Sequence, residues 1–194
     1  MASSADRDAY LQSVLIGGRE PVTIVVREYD RGWPARFAVV GTRIRDALGA
    51  RALATEHIGS TAVPELAAKP IVDVLVTVAD VEDESAYAPA LEAAGFPQRV
   101  REPGHRMFRT PERDVHIHVY QPDSPAVTDY LDLRDWLRQS AQDRDLYASR
   151  KRALANQQWA DMNDYADAKT EVVLDVLARA RAWRAGALAP RARS

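Results

Sequence analysis

The chain of 194 residues contains no cysteine, which excludes a disulfide framework, a thiolate nucleophile and any cysteine-ligated zinc or iron–sulfur centre. Four histidines and the carboxylates are what remain to hold a metal. An excess of one charge is also missing: 26 Lys+Arg against 28 Asp+Glu leave a net charge of −2, no field to retain a long polyanion, so long nucleic acid is not expected as a partner. No apolar run approaches the ~20 residues of a membrane helix, and Met1-Ala2-Ser3-Ser4-Ala5-Asp6-Arg7-Asp8 lacks the basic-then-apolar order of a signal peptide. No membrane association and a cytoplasmic location are the corresponding expectations. A hydrophobic fraction of 46% is enough for one core at this length. The expected division is an arm over 1–20, a domain over 21–184 and a tail over 185–194.

Hydrophobic patterning divides the chain into a mixed first part and a helical last third. The arm, with Val14-Leu15-Ile16 followed by Gly17-Gly18, specifies no element. Val22–Glu28 is rich in β-branched residues and predicts a strand. Pro34 followed by Phe37, Val40, Ile44 and Leu48 predicts an amphipathic helix that stops at Gly49. Ala52–Ile58 predicts a strand, interrupted by the turn formers Gly59-Ser60. Ile71–Val78 is apolar on both faces, the pattern of a central strand, and Asp83–Ala94 predicts a helix closed by Gly95. Arg106–Thr110 and Val115–Tyr120 predict a hairpin; in its second strand Val115, Ile117 and Val119 alternate with Asp114, His116, His118 and Tyr120. Apolar residues then recur at helical spacing from Ser124 to Trp183. Mixed elements first and helices afterwards describe an α+β fold.

Asp73 is the single charge in the central strand. A carboxylate there needs a partner, either an ion pair with Lys69 or a nearby Arg, or a function. His116 and His118 share one strand face about 7 Å apart, from which two imidazoles converge on one cation. Gly59 and Ser60 stand where a turn would bring backbone N–H groups and a hydroxyl to a phosphate. Lys69, Arg106, Arg109 and Lys169 are candidate holders of phosphate oxygens, Arg through a planar fork and Lys as a point charge. Lys151 follows Tyr147 by one helical turn and reads as a snorkelling side chain. His57 reads either as an acid/base or as a packed residue, His105 as structural or solvated, and the four Trp as core.

The string Glu56-His57-Ile58-Gly59-Ser60-Thr61-Ala62-Val63-Pro64, with Ala67-Ala68-Lys69-Pro70-Ile71-Val72-Asp73, resembles the signature of the GrpB-like family. Tyr29-Asp30, Trp33-Pro34, His116-Ile117-His118-Val119, Tyr147 with Lys151, and Tyr165 with Lys169 extend the resemblance from about Val22 to Ala180. That family is similar to nucleotidyltransferases in fold and is sometimes fused to dephospho-CoA kinase. The resemblance implies a small mixed β-sheet flanked by helices, with a C-terminal helical layer. In active nucleotidyltransferases a second carboxylate usually stands two residues after the first; here that position is Leu75.

The expected cleft therefore lies between the Gly59-Ser60 loop, the Asp73 strand and the His116/His118 strand. Asp73, His116 and His118 are the candidate catalytic and metal-binding residues. The cofactor is a divalent metal, Mg or Mn, with Zn as a further possibility because a histidine-containing set suits Zn or Mn better than Mg. The partners are a nucleoside triphosphate as substrate and a small-molecule acceptor. The alternatives are a nucleotide or CoA-type binding module without catalysis, and a His-metal phosphoester hydrolase.

Overall fold

The longest β-branched stretch supplies the middle of the sheet. In the computed structural model, which describes residues 4–186, strand β2 (Val72–Thr77) has a neighbour on both edges. It pairs antiparallel with β1 (Ala54–Ile58) and parallel with β5 (Val115–Tyr120). Beyond β5 lie β4 (His105–Arg109) and then β3 (Gln98–Glu102), both antiparallel to their neighbours. The order β1-β2-β5-β4-β3 is a mixed five-stranded sheet.

Strand alternation gives the sheet two chemically different faces. On one, Val72, Val74 and Val76 join Val115, Ile117, Val119 and Phe108 beneath Val40, Ile44 and Leu48 of α2 (Trp33–Leu48) and Leu91 of α3 (Ala88–Ala93). This is the main core. The opposite face is apolar only toward one end, where Leu75, Ile58 and Tyr120 meet Val127, Tyr130 and Leu131 of α4 (Pro125–Gln139). The remainder of that face carries Asp73, His116 and His118 and is walled by the C-terminal helices α5 (Ala141–Ala155), α6 (Met162–Asp167) and α7 (Thr170–Arg184). Those helices have their own core, in which Val63, Leu66 and Ala67 pack with Leu137, Tyr147 and Val176.

Local chemistry explains the element ends. Pro34 lies in the first turn of α2, where its missing N–H has no helical acceptor to lose, and Gly49 ends the helix at φ +56°. After α3, the Phe96 N–H bonds the Leu91 carbonyl and the Gly95 N–H bonds that of Glu92, a Schellman closure in which Gly95 takes φ +82°. The buried side chains of Phe96 and Leu91 complete it.

Four expectations are corrected. Val22–Glu28 is not a strand: only Arg27 pairs, with Ala68, while Ile24 and Val26 spend their apolar surface on the helical layer. The helix predicted over Asp83–Ala94 is split into a 3-10 turn at Glu84–Ala86 and α3, because Pro89 cannot donate to the carbonyl four residues back. Strand β3, too polar to be marked by alternation, borders the predicted hairpin. The arm contains helix α1 (Ser4–Val14), whose Leu11 and Val14, with Leu15, pack on Val100 of β3. Residues 187–194 of the predicted tail lie outside the described residues.

Because Ile117 is fully buried between β2 and β4, Ile117→Val should cost about 0.5–1.5 kcal/mol and Ile117→Ala about 2–5 kcal/mol. Urea unfolding followed by circular dichroism measures both; equal, near-zero costs would contradict this packing.

Candidate functional site

The parallel register of β2 and β5 sets Asp73 beside His116 and Leu75 beside His118. His116 Nδ1 is 3.5 Å and His118 Nε2 3.8 Å from the same oxygen, Asp73 Oδ1. One ligand atom from each of the three residues falls within 4.8 Å of the others, the one such grouping among the described residues. Two imidazole nitrogens and one carboxylate oxygen are a donor set for a borderline divalent cation, so these residues fit the metal that the sequence led us to expect.

The Asp73 carboxylate forms the floor of a cleft of about 570 Å³. Burial pushes its pKa up, but the His116 and His118 imidazoles that face it outweigh this and hold it well below the usual carboxylate range. Burial also lowers His116, against the opposing effect of Asp73. Gly59 roofs the carboxylate at φ +68°, and a methyl group built there would overlap the Asp73 carboxylate, lying 3.0 Å from its Cβ. Only glycine supplies both the backbone angle and the space.

Three lysines also line the cleft. Lys69 Nζ lies 5.0 Å and Lys169 Nζ 4.7 Å from the ring centroid of Tyr165, so both ammonium groups lie against one aromatic ring. The Tyr165 hydroxyl is buried and has no hydrogen-bond partner among the described residues. Lys151 Nζ lies over Tyr147 at 4.4 Å and donates to Ser60 Oγ at 2.9 Å, leaving the serine O–H free to point into the cleft. Burial, with Lys169 as second cause and Asp73 opposing, pushes Lys69 down to about 7. Burial and the other two lysines hold Lys151 well below its ordinary value. Among the described residues the Lys69 ammonium has one acceptor, the Met162 sulfur at 2.6 Å, a weak one. With no carboxylate ion pair to any of the three ammonium groups among the described residues, this wall is suited to an anion.

The structure brings Asp73, His116, His118, Gly59, Ser60, Lys69 and Lys169 to this cleft. It does not bring Arg106, which points to the other face of the sheet. There its guanidinium is buried against Glu84 and, at 2.6 Å, Glu82, and also donates to the Glu102 and His105 carbonyls. Strand alternation carried the signal, since Arg106 shares its face with Phe108. Arg109 is on the site face beside His116 but lies in an adjoining hollow of about 360 Å³, where its Nη2 donates to Glu20 Oε1 at 2.8 Å. Asp114 is held by Arg36 and by Thr110 Oγ1 at 2.7 Å. His57 takes the packing role: it stacks on Phe37 at 4.7 Å, is pushed down to about 4 by burial, and faces away from Asp73. Lys151 lies beside the Tyr147 ring as the sequence suggested, but sequence reasoning missed its bond to Ser60 and that of His105 to His118. A tyrosine one turn before Lys151 was the visible sign of the first, and membership of the Met107 face of β4 that of the second.

A sequence model of the GrpB protein family matches residues 23–179. The chain belongs to the GrpB family. A UPF0157 protein of Streptomyces coelicolor is 55% identical over 88% of this chain and 91% of its own length. The crystal structure of the conserved protein GrpB from Enterococcus faecalis has a TM-score of 0.71 at 29% identity, covering 82% of this chain and 99% of that one. This chain also aligns at 28% identity with a dephospho-CoA kinase of Mycobacterium leprae, over 78% of its own length and 45% of that protein's. Among the described residues no helix is long and apolar enough to cross a membrane.

Gly59 and Gly104 both have positive φ, but nothing lies within 4 Å of a Cβ at Gly104. Gly104→Ala should therefore cost only the left-handed backbone penalty, about 1–2 kcal/mol. Gly59→Ala adds displacement of Asp73 and should cost measurably more. Paired thermal unfolding reads the difference, and equal costs would rule out the close approach.

Proposed function

We propose that the cleft of this GrpB protein binds a nucleoside triphosphate with one divalent cation and transfers the nucleotidyl group to a small-molecule acceptor. The supporting observation is that the Asp73/His116/His118 cluster and Lys69, Lys151 and Lys169 line one cavity. Asp73, His116 and His118 would hold the cation, which when bound neutralises phosphate charge and polarises the phosphoryl group. The lysines would take non-bridging phosphate oxygens, and the Ser60 hydroxyl and Tyr165 hydroxyl would donate to others. In the reaction an acceptor oxygen bonds to the α-phosphorus, the bond to the bridging oxygen breaks, and pyrophosphate leaves as the acceptor loses its proton. Lys69 and Lys169 stand where they would balance the leaving charge.

Phosphoester hydrolysis is a second reading, favoured by Leu75. That position, where a second carboxylate is usual, is buried among Ile58, Tyr120 and Leu131 and offers the site no ligand. A single cation on two histidines and one aspartate leaves room for water as nucleophile.

Purified protein incubated with ATP, Mn or Zn and a pool of hydroxyl- and amine-bearing acceptors, followed by mass spectrometry, separates the readings. Nucleotidyl transfer yields pyrophosphate and an acceptor heavier by a nucleotidyl group. Hydrolysis yields phosphate or nucleotide without an adduct. Tight binding without either product marks a binding module. Asp73→Asn should reduce turnover by at least about 100-fold, in the range seen when a key electrostatic group is removed; unchanged turnover would defeat the proposal.

A pH effect follows from Lys69. Its charged form binds phosphate and is lost as pH rises through about 7. In metal-free titrations, ATP affinity should fall between pH 6 and 8 more steeply in the wild type than in Lys69→Met, which should bind more weakly at pH 6. Superimposable profiles would remove Lys69 from the anion wall.

A further inference from the structure

His118 is the inner end of a hydrogen-bonded chain that leads away from Asp73. Its Nε2 faces Asp73 Oδ1 at 3.8 Å, while its Nδ1 is 3.1 Å from His105 Nε2. His105 Nδ1 is in turn 3.1 Å from Glu102 Oε1, and the other oxygen of Glu102 accepts from the Tyr10 hydroxyl at 3.1 Å. The two imidazoles are nearly coplanar in orientation, stacked at 10° with centroids 5.3 Å apart, and the outer face of His105 is set against Tyr120 at 4.5 Å. Four strands fix this line: Asp73 is on β2, His118 on β5, His105 on β4, and Glu102 ends β3 opposite His105.

The directions of these bonds are set by what each group is able to do. An ionised carboxylate only accepts, so Glu102 requires the proton of His105 on Nδ1. A neutral His105 then has its lone pair on Nε2, and the only hydrogen available for that 3.1 Å bond is on His118 Nδ1. The lone pair of His118 is consequently placed on Nε2, pointing at the Asp73 carboxylate. Two acceptors facing each other are unfavourable unless a cation lies between them. Histidine ligands are normally oriented through their second nitrogen in this way, with losses of about 10–100-fold in metal affinity when the outer partner is removed.

We propose that His105 and Glu102 are positioning residues that fix His118 in its Nδ1–H tautomer, so that the Asp73/His116/His118 cluster presents a lone pair to a nitrogen-preferring cation such as zinc. The inference rests on the cation site of the preceding section, but the tautomer it demands is observable without any metal.

His105→Phe keeps the stack on Tyr120 and loses both hydrogen bonds, whereas His105→Gln restores an acceptor toward His118 and a donor toward Glu102. Nitrogen-15 correlation spectra of the metal-free protein at pH 8 report the His118 tautomer directly. The wild type and His105→Gln should show Nδ1–H, and His105→Phe should shift toward Nε2–H. Zinc titration by calorimetry should show affinity about 10–100-fold weaker in His105→Phe, largely recovered in His105→Gln. A wild-type His118 protonated on Nε2, or a folded His105→Phe with unchanged tautomer, overturns the relay. The Nδ1–H tautomer without zinc or manganese binding upholds the relay and instead overturns the cation site.

Discussion

The pairing of two parallel strands is the constraint on which the site depends. Asp73 and His116 face each other across β2 and β5 because those strands run in the same direction in a fixed register. A slip of one residue would turn His116 and His118 into the valine core and bring Val115, Ile117 and Val119 to the cleft. The same alternation that buries three β-branched residues beneath α2 therefore delivers three polar ones to the opposite face. Core packing and site geometry are a single choice of register.

Around that choice, the electrostatics are asymmetric. The floor has one carboxylate tuned by two imidazoles, and the wall has three amines set against tyrosine rings. Burying lysines without carboxylate partners costs free energy that a stable fold has no reason to spend. Their presence in one wall is understandable if an anionic ligand completes them. Arg106 shows the contrasting case, a buried cation fully matched by Glu82 and Glu84 and thereby removed from ligand chemistry.

What the sequence disclosed and what it withheld follow physical lines. The central strand, α2 and the alternating β5 were legible because each buries a surface whose period is that of its own backbone. So was the convergence of Asp73 with two histidines, once the family resemblance placed their strands in one sheet. Edge strand β3, Gln98-Arg99-Val100-Arg101-Glu102, has little apolar surface to alternate and left no pattern. Val22–Glu28 had strand composition but found its partners in helices, since β-branched residues report burial in extended backbone and not the presence of a neighbouring strand. Lys151 and His105 were opaque for a different reason: each acts through a residue far away in the chain, Ser60 in one case and His118 in the other.

Helix α1 occupies a position that the domain core does not require. Its Arg7, Tyr10, Leu11 and Val14 line the cleft. It is tied across the opening by Arg7 to Asp167, by Tyr10 to Glu102, and by Asp8 to Arg19, which also grips Asp161 and Asp164. Most of these ties are between charged groups near solvent, the kind that dissolved electrolyte weakens first. The floor of the cleft is held by strand pairing, which electrolyte hardly touches. The doorway and the floor of this protein thus answer to different solution conditions.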